Sequence, residues 1–465
     1  MRCRPDWTNN NLLSELPKMK LQRITILYST LFVAISLLSP LAAMPLQDSI
    51  SELKTVAESS DYKATSTYAE ILRFVDRCCS AEHVTRHDFG QSVEGRAMVS
   101  TIIANPPYSI GDEDERLKIL LLGNIHSGEC AGKEALLAML RELAADAEHP
   151  WLKDAIVVIA PNYNVDANQR VGLYQRRGQV GPELGMGQRE NAMQLDLNRD
   201  FCKLESPEAR SLVGLIDQFD PHMFIDCHTT NGSRHQYRVT YDIPHNPTAH
   251  PLVRGYLRNN MMPAVTRKME QEDGLYAFYY GNFSRERNRW STYGHEPRYS
   301  TEYVGLRGRL GILSEAYSYA TYRERIEGTD SFVRQCVKHV LDNKEDVKEL
   351  LMEVRSDANR SEEESSKPTL VHLNSAMSAF DGKFTIKGFE GDQKKDYEVT
   401  FFGDFTPTTT VEMPFAYVLP AEMSLHAERL QMHGVEIETV SSAEPVTVDG
   451  TVYTVTAINL SLIHI

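Results

Sequence analysis

His126 and Glu129 stand three residues apart just beyond the apolar run Leu117 to Leu122. An imidazole nitrogen and a carboxylate at that spacing could reach one metal ion from the carboxyl end of a strand. Spacing alone says little: with 15 histidines in the chain, about one His-x-x-Glu pair is expected by chance. A second pair, His433 and Glu436, lies in a stretch with no other ligand candidates and serves as an internal control. A third donor should come from another strand end, and His228 answers that demand, following the apolar run Met223 to Ile225 within Asp226-Cys227-His228-Thr229-Thr230. If both strands are parallel, His126 and His228 leave the sheet at the same edge. Taken singly, each histidine is more often a satisfied polar side chain than a ligand; together with Glu129 they favour a three-ligand site.

Between these residues lies the stretch from Arg189 to Phe201, which contains Asp196-Leu197-Asn198-Arg199-Asp200. A guanidinium fork grips carboxylates in bidentate fashion and an adjacent amide adds orientation, so Asn198 and Arg199 could hold the anionic end of a substrate. Asp196 could accept the second N–H of a metal-bound histidine. The plainer alternative is that Arg199 pairs locally with Asp196 or Asp200 on a solvated loop. Glu315 follows the apolar run Leu310 to Leu313. It is either a capping carboxylate or one that faces the same sheet edge. Hydrolysis at a three-ligand metal needs a nearby carboxylate that takes a proton from the attacking water and passes it to the leaving nitrogen, and Glu315 is the candidate.

The elements that must position these groups read as α/β. Leu117 to Leu122 and Ala155 to Ala160 are buried strands, Ala131 to Leu143 is an Ala- and Leu-rich helix, and Ser206-Pro207-Glu208 opens a helix that runs to about Phe219. Residues 50 to 83 carry a helical period, and Tyr322 to Val354 reads as a long helical region with a candidate break at Gly328. This alternation predicts a mixed, largely parallel central sheet with helices on both faces, over a catalytic domain of residues 50 to 354. A polar linker, Arg355 to Pro368, separates it from a small β-rich C-terminal module, residues 369 to 465. Strands are expected there at Tyr397 to Phe402 and Thr451 to Ala457, and the chain ends within an apolar run, Ile458 to Ile465.

Composition narrows the partners. The 465 residues are 42% hydrophobic and 24% charged, with a formal net charge of −15, so a globular fold is expected and nucleic acid is an unfavourable partner. Ile24 to Ala43 is uncharged and apolar, preceded by Lys18, Lys20 and Arg23 and ending in Pro40-Leu41-Ala42-Ala43, which suits cleavage. It reads as a cleaved export signal, residues 1 to 43, with Met19 a candidate start. The expected protein is extracytoplasmic, secreted or periplasmic, with no stable membrane anchor. Six cysteines remain after such a cleavage, none at metal-ligand spacing, and they are expected to be mostly buried small side chains.

His126 with Glu129, then Arg-x-Asn-Ala-x-x-x-Asp-Leu-Asn-Arg-x-Phe from Arg189, then His228 and then Glu315 resemble the zinc metallocarboxypeptidases, nearest in motif style to the carboxypeptidase N/E/D branch. The resemblance spans roughly residues 60 to 345. It implies one zinc ion per chain held by His126, Glu129 and His228, with Asp196 supporting His126. It also implies Asn198 and Arg199 on the terminal carboxylate of a peptide substrate, Arg189 on the developing oxyanion and Glu315 as general acid/base. The family's substrate-capping tyrosine has three candidates, Tyr293, Tyr299 and Tyr303, with Tyr293 favoured by its spacing to Glu315. The family's Asn-Pro-Asp-Gly turn is replaced by Asn164-Val165-Asp166-Ala167, and the Gly- and Arg-rich segment before Met193 points to a reshaped mouth. A β-rich tail module resembles the transthyretin-like domain of that branch. Two other readings stay open: a zinc amidohydrolase acting on N-acyl amino acids or cell-wall peptides, and an exported binding protein with a degenerate hydrolase domain.

Overall fold

Short runs of β-branched and leucine residues bounded by turns become the strands of a central sheet. A computed structural model describes residues 49–230, 232–358, 370–414 and 416–440. The export-signal stretch, residues 359 to 368 of the polar stretch, Thr451 to Ala457 and the terminal apolar run lie outside the described residues. In chain order the strands are β1 (Val84–Gln91), β2 (Ala97–Ile103), β3 (Leu117–Gly123), β4 (Ala155–Ala160), β5 (Met223–Thr230), β6 (Val239–Asp242) and β7 (Ala277–Tyr279). They continue as β8 (Asn282–Phe283), β9 (Arg289–Ser291), β10 (Leu310–Tyr317), β11 (Leu370–Ala379), β12 (Phe384–Glu390) and β13 (Gln393–Glu412).

The large sheet has the order β1-β2-β4-β3-β5-β10-β6-β7. Its centre, β4-β3-β5-β10, is parallel. Antiparallel β1 and β2 close one side, and β6 lies antiparallel to β10 on the other. Alternation along β3 shows why helices cover both faces. Ile119 and Leu121 enter one core with the helices Ala131–Ala145 and Tyr322–Asp342, whereas Leu120 and Leu122 enter a second core with the helix Pro207–Phe219. Fold class and sheet therefore agree with the pattern read from sequence.

Three local features differ from it. The helical period over residues 50 to 83 is divided into a 3-10 turn (Ile50–Glu52) and two helices, Val56–Ser59 and Tyr68–Cys78. Thr55 and Thr67 each accept a cap bond, from the Glu58 and Glu70 amides, and Asp61 and Tyr62 reverse the chain at φ 52° and 61°. The later helix passes straight through Gly328, where an added Cβ would lie 2.4 Å from Arg238 Cγ. The glycine serves close packing there, and the break falls instead at Asn343, before the helix Lys344–Ala358. Finally, β10 runs on to Tyr317, so Glu315 lies within the strand rather than after it.

The C-terminal strands are not isolated from the rest. β13 pairs antiparallel with β11 and β12, and its residues Thr400, Phe401 and Phe402 pair in parallel with Arg289, Trp290 and Ser291 of β9. A common apolar cluster of Tyr237, Trp290, Ile386, Val399 and Phe401 joins the two parts. All six cysteines from Cys78 onward are free thiols, four of them buried. Among the described residues, no helix is long and apolar enough to cross a membrane.

Candidate metal centre and substrate cavity

The loop after β3 is held by buried amides rather than by its own sequence propensity. The Asn124 amide donates to Asn162 Oδ1 at 2.6 Å and Asn168 Oδ1 at 3.1 Å, and Ser127 Oγ donates to the Asn164 carbonyl at 2.7 Å. Asn164 Nδ2 donates to the carbonyls of Ile125 and Arg189, at 3.1 and 3.2 Å, so one side chain ties the His126 loop to the Arg189 loop. His228 sits in β5, and parallel pairing puts Glu315 of β10 directly beside it in register. Strand pairing, loop anchoring and burial thus bring together residues nearly two hundred positions apart.

His126, Glu129 and His228 are each at most 3% exposed. One donor atom from each lies within 4.8 Å of the others. His126 Nδ1 is 3.1 Å from Glu129 Oε1, and His228 Nδ1 is 2.9 Å from Glu129 Oε2. The outer nitrogens are anchored in the same way as each other: His126 Nε2 to Asp196 Oδ1 and His228 Nε2 to Asp226 Oδ2, both at 2.9 Å. A carboxylate on Nε2–H selects the tautomer whose Nδ1 lone pair faces inward, which is what a metal requires. Two inward imidazoles and one carboxylate fit zinc, and three protein donors leave a coordination position for chemistry. Burial works against an ionised Glu129, but Arg176, His126 and His228 outweigh it and hold the carboxyl well below its usual range. Burial likewise opposes the charge on Asp196, and His126, Arg189 and Arg199 overcome it to hold that carboxyl strongly down.

A cavity of about 180 Å³ opens over the three donors. Arg189, Asn198, Arg199, Tyr293 and Glu315, all singled out from sequence, line it, and Asp196 stands behind His126. The Arg189 guanidinium binds Asp196 Oδ2 at 2.7 Å and reaches within 3.3 Å of His126 Nδ1. Local pairing holds Arg199 only in part: Nη1 donates to the Asn198 carbonyl at 2.8 Å and makes a loose ion pair with Asp196 Oδ2 at 3.9 Å, and Asp200 accepts instead from the amides of Glu205 and Ser206. The Arg199 guanidinium lies 4.6 Å above the Tyr299 ring. Glu315 Oε2 is buried without a hydrogen-bond partner. Burial pushes its carboxyl up to about 8, with Glu129 adding to the rise and His228 opposing it.

Of the three tyrosine candidates, Tyr293 and Tyr299 line the cavity, and Tyr303 does not. Its hydroxyl meets His433 Nδ1 at 2.9 Å, and His433 Nε2 lies 3.1 Å from the Cys202 carbonyl. The control pair at His433 and Glu436 therefore contributes a packing histidine. Sequence reasoning missed Arg176, Tyr280 and Ser300. Arg176 Nη1 lies 2.6 Å from Glu129 Oε1, and its Nη2 donates to the Thr229 carbonyl at 3.2 Å. It needs Gly128, where an added Cβ would lie 2.6 Å from Arg176 Cγ. The excess of Gly and Arg before Met193 was the available signal. Ser300 N donates to Asn198 Oδ1 at 2.9 Å and Ser300 Oγ to Asp226 Oδ2 at 2.5 Å, joining the Asn198 loop to the aspartate behind His228.

A mixed α/β sheet whose parallel strands deliver a His–Glu–His set, each imidazole backed by an aspartate, has the donors and outer support of a zinc-type metal centre. The zinc carboxypeptidase family model, Peptidase_M14, matches residues 77–242, and over that span the chain resembles a divergent member of the family. That span includes all three candidate ligands, and Glu315 lies beyond it. Carboxypeptidase 2 of Trichophyton rubrum is 29% identical over 154 residues, 32% of this chain and 25% of that protein. Human carboxypeptidase Z is 30% identical over 148 residues, 30% of this chain and 22% of that protein. The chain thus spans about a quarter of the length of the curated relatives it matches. Among solved structures, a metallo-carboxypeptidase from Burkholderia cenocepacia superposes with a TM-score of 0.44 at 15% identity, over 59% of this chain and 69% of the other.

Proposed function

We propose that the protein is an exported zinc metallocarboxypeptidase that removes the C-terminal residue of peptides. One observation carries the reading: Glu315, whose buried Oε2 has no hydrogen-bond partner, shares a small cavity with a His–Glu–His donor set and with Arg199. His126, Glu129 and His228 would hold one zinc ion, which supplies Lewis-acid chemistry, polarising a carbonyl and making a water more acidic. Arg199 and Asn198 bind the substrate's terminal carboxylate and fix which peptide bond reaches Glu315. Glu315 takes the proton from the attacking water on its free oxygen and returns it to the leaving nitrogen. Burial holds the Glu315 carboxyl up at about 8, and the charge of a zinc ion held by His126, Glu129 and His228 would lower it toward the neutral range in which one group can both accept and release a proton. Arg189, beside His126 Nδ1, faces the oxygen that gains charge, and Tyr293 closes over the substrate. Export through residues 24 to 43 completes the reading.

Purified protein should contain about one zinc per chain and release single amino acids from peptide C-termini. Glu315→Gln should lower turnover by at least about a hundredfold while leaving zinc in place. Full activity in that variant would overturn the mechanism. Hydrolysis of N-acyl amino acids in preference to peptides would replace it with an amidohydrolase.

A further inference from the structure

We propose that the C-terminal strands brace the substrate cavity's wall from behind: they set the position of Tyr293, through backbone pairing with β9 and through an aromatic relay from Phe405 across His245. The inference rests on the carboxypeptidase reading only for what Tyr293 does to substrate.

Tyr293 sits two residues beyond β9. That strand is only three residues long, and β8 on its other edge has two, so the pair has little stability of its own. What holds it is β13. Thr400, Phe401 and Phe402 pair with Arg289, Trp290 and Ser291, and the ladder continues one step further, with Thr292 N donating to the Phe402 carbonyl at 3.0 Å. Trp290 is fully buried in the cluster that Ile386, Val399 and Phe401 supply from the C-terminal side.

Side chains make a second, independent connection. The Phe405 ring is 5.5 Å from the ring of His245 and 4.6 Å from that of His295. His245, itself 1% exposed, meets Tyr293 edge-on at 5.1 Å, and Tyr293 meets Tyr299 edge-on at 5.1 Å. Arg199 stacks on Tyr299. The relay therefore runs from the C-terminal hairpin to the residue expected to take the substrate carboxylate. Beside Phe405, Asp404 accepts from Arg254 at 2.9 Å and Arg258 at 3.2 Å, which fixes β13 against the helical side of the molecule. Removing one ring of such a stack leaves its neighbours free to re-orient.

The test uses the full chain loaded with zinc. Phe405→Ala should raise KM for a peptide substrate about tenfold with kcat within about twofold, the split expected when substrate positioning rather than chemistry is disturbed. In a Tyr293→Ala background the same change should raise KM by less than about twofold, because the relay then has no end. Phe405→Tyr, which keeps the ring, should restore KM, and Phe405→Leu, which keeps the apolar volume, should shift it in the same direction as Ala. Backbone hydrogen exchange over residues 289–299 should accelerate in Phe405→Ala while that over 117–129 does not. Unchanged exchange over 289–299, or KM effects that multiply independently of Tyr293, would overturn the proposal. Absence of peptide cleavage by the wild type would end the carboxypeptidase reading instead, and the exchange measurement would still decide the positioning.

Discussion

Asp196 shows how much of the site depends on residues that touch no substrate. It accepts from His126 Nε2 on one oxygen and from Arg189 on the other, so one carboxylate sets the imidazole tautomer and the height of the guanidinium. Asp196→Asn should weaken zinc binding about 10- to 100-fold, measured by competition with a chelator, because the amide can turn an N–H toward Nε2 and favour the wrong tautomer. Unchanged affinity would mean that His126 is oriented by Glu129 alone. His126, Glu129 and His228 were legible in the sequence because each lies at or just past an apolar run. Arg176 was not: its contact with Glu129 is made by a loop that has no period, and it depends on the missing side chain of Gly128. Tyr303 had the right residue type and nearly the right spacing, but its helix turns it toward Phe201 and His433, away from the cavity.

The helix Ala131–Ala145 illustrates how an element carries the site. It begins two residues after Glu129 and buries Lys133, which donates to the Ser66 carbonyl at 2.7 Å and to Asn168 Oδ1 at 2.8 Å. Asn168 in turn accepts from Asn124, so the ammonium locks the helix to the loop that holds His126. Lys133→Met keeps the apolar stem but removes the charged donor from both acceptors, leaving the Ser66 carbonyl only the Asn168 amide and Asn168 Oδ1 only the Asn124 amide, which should cost about 1–3 kcal/mol in a denaturant titration. A variant as stable as the wild type would show that water replaces the ammonium. Such elements are legible when their ends carry chemistry. Ser206-Pro207 marks the start of the helix Pro207–Phe219, and Ser206 Oγ accepts from the Ala209 amide at 3.0 Å. Gly328 misled because a glycine inside a helix can serve a close neighbour as well as a break.

Over the whole molecule, long-range pairing is what the sequence hides: nothing local to residues 289–291 or 400–402 announces that they run side by side. The same joining of distant segments half-buries His222 and buries His235 in surroundings that favour the neutral ring, which predicts an acid-sensitive fold. His222 Nδ1 accepts from the Lys118 amide at 2.9 Å, and burial, reinforced by Arg309, pushes the ring down to about 4. His235 lies among Tyr237, Trp290 and Tyr317, on the seam with the C-terminal strands, and burial pushes it down to about 3. An unfolded chain binds both protons near pH 6.5. Between that value and the folded ones, protons bind the unfolded state in preference, so stability present above pH 6.5 is lost as the pH falls, by at most about 1.4 kcal/mol per pH unit for each ring. Urea unfolding of the metal-free chain at pH 7 and pH 4.5 measures the loss. His235→Phe keeps a ring inside the aromatic cage and removes the titration, so it should retain more of its pH 7 stability at pH 4.5 than the wild type does. Parallel losses in the two proteins would show that His235 is protonated inside the fold, and that the seam between the two sheets admits charge.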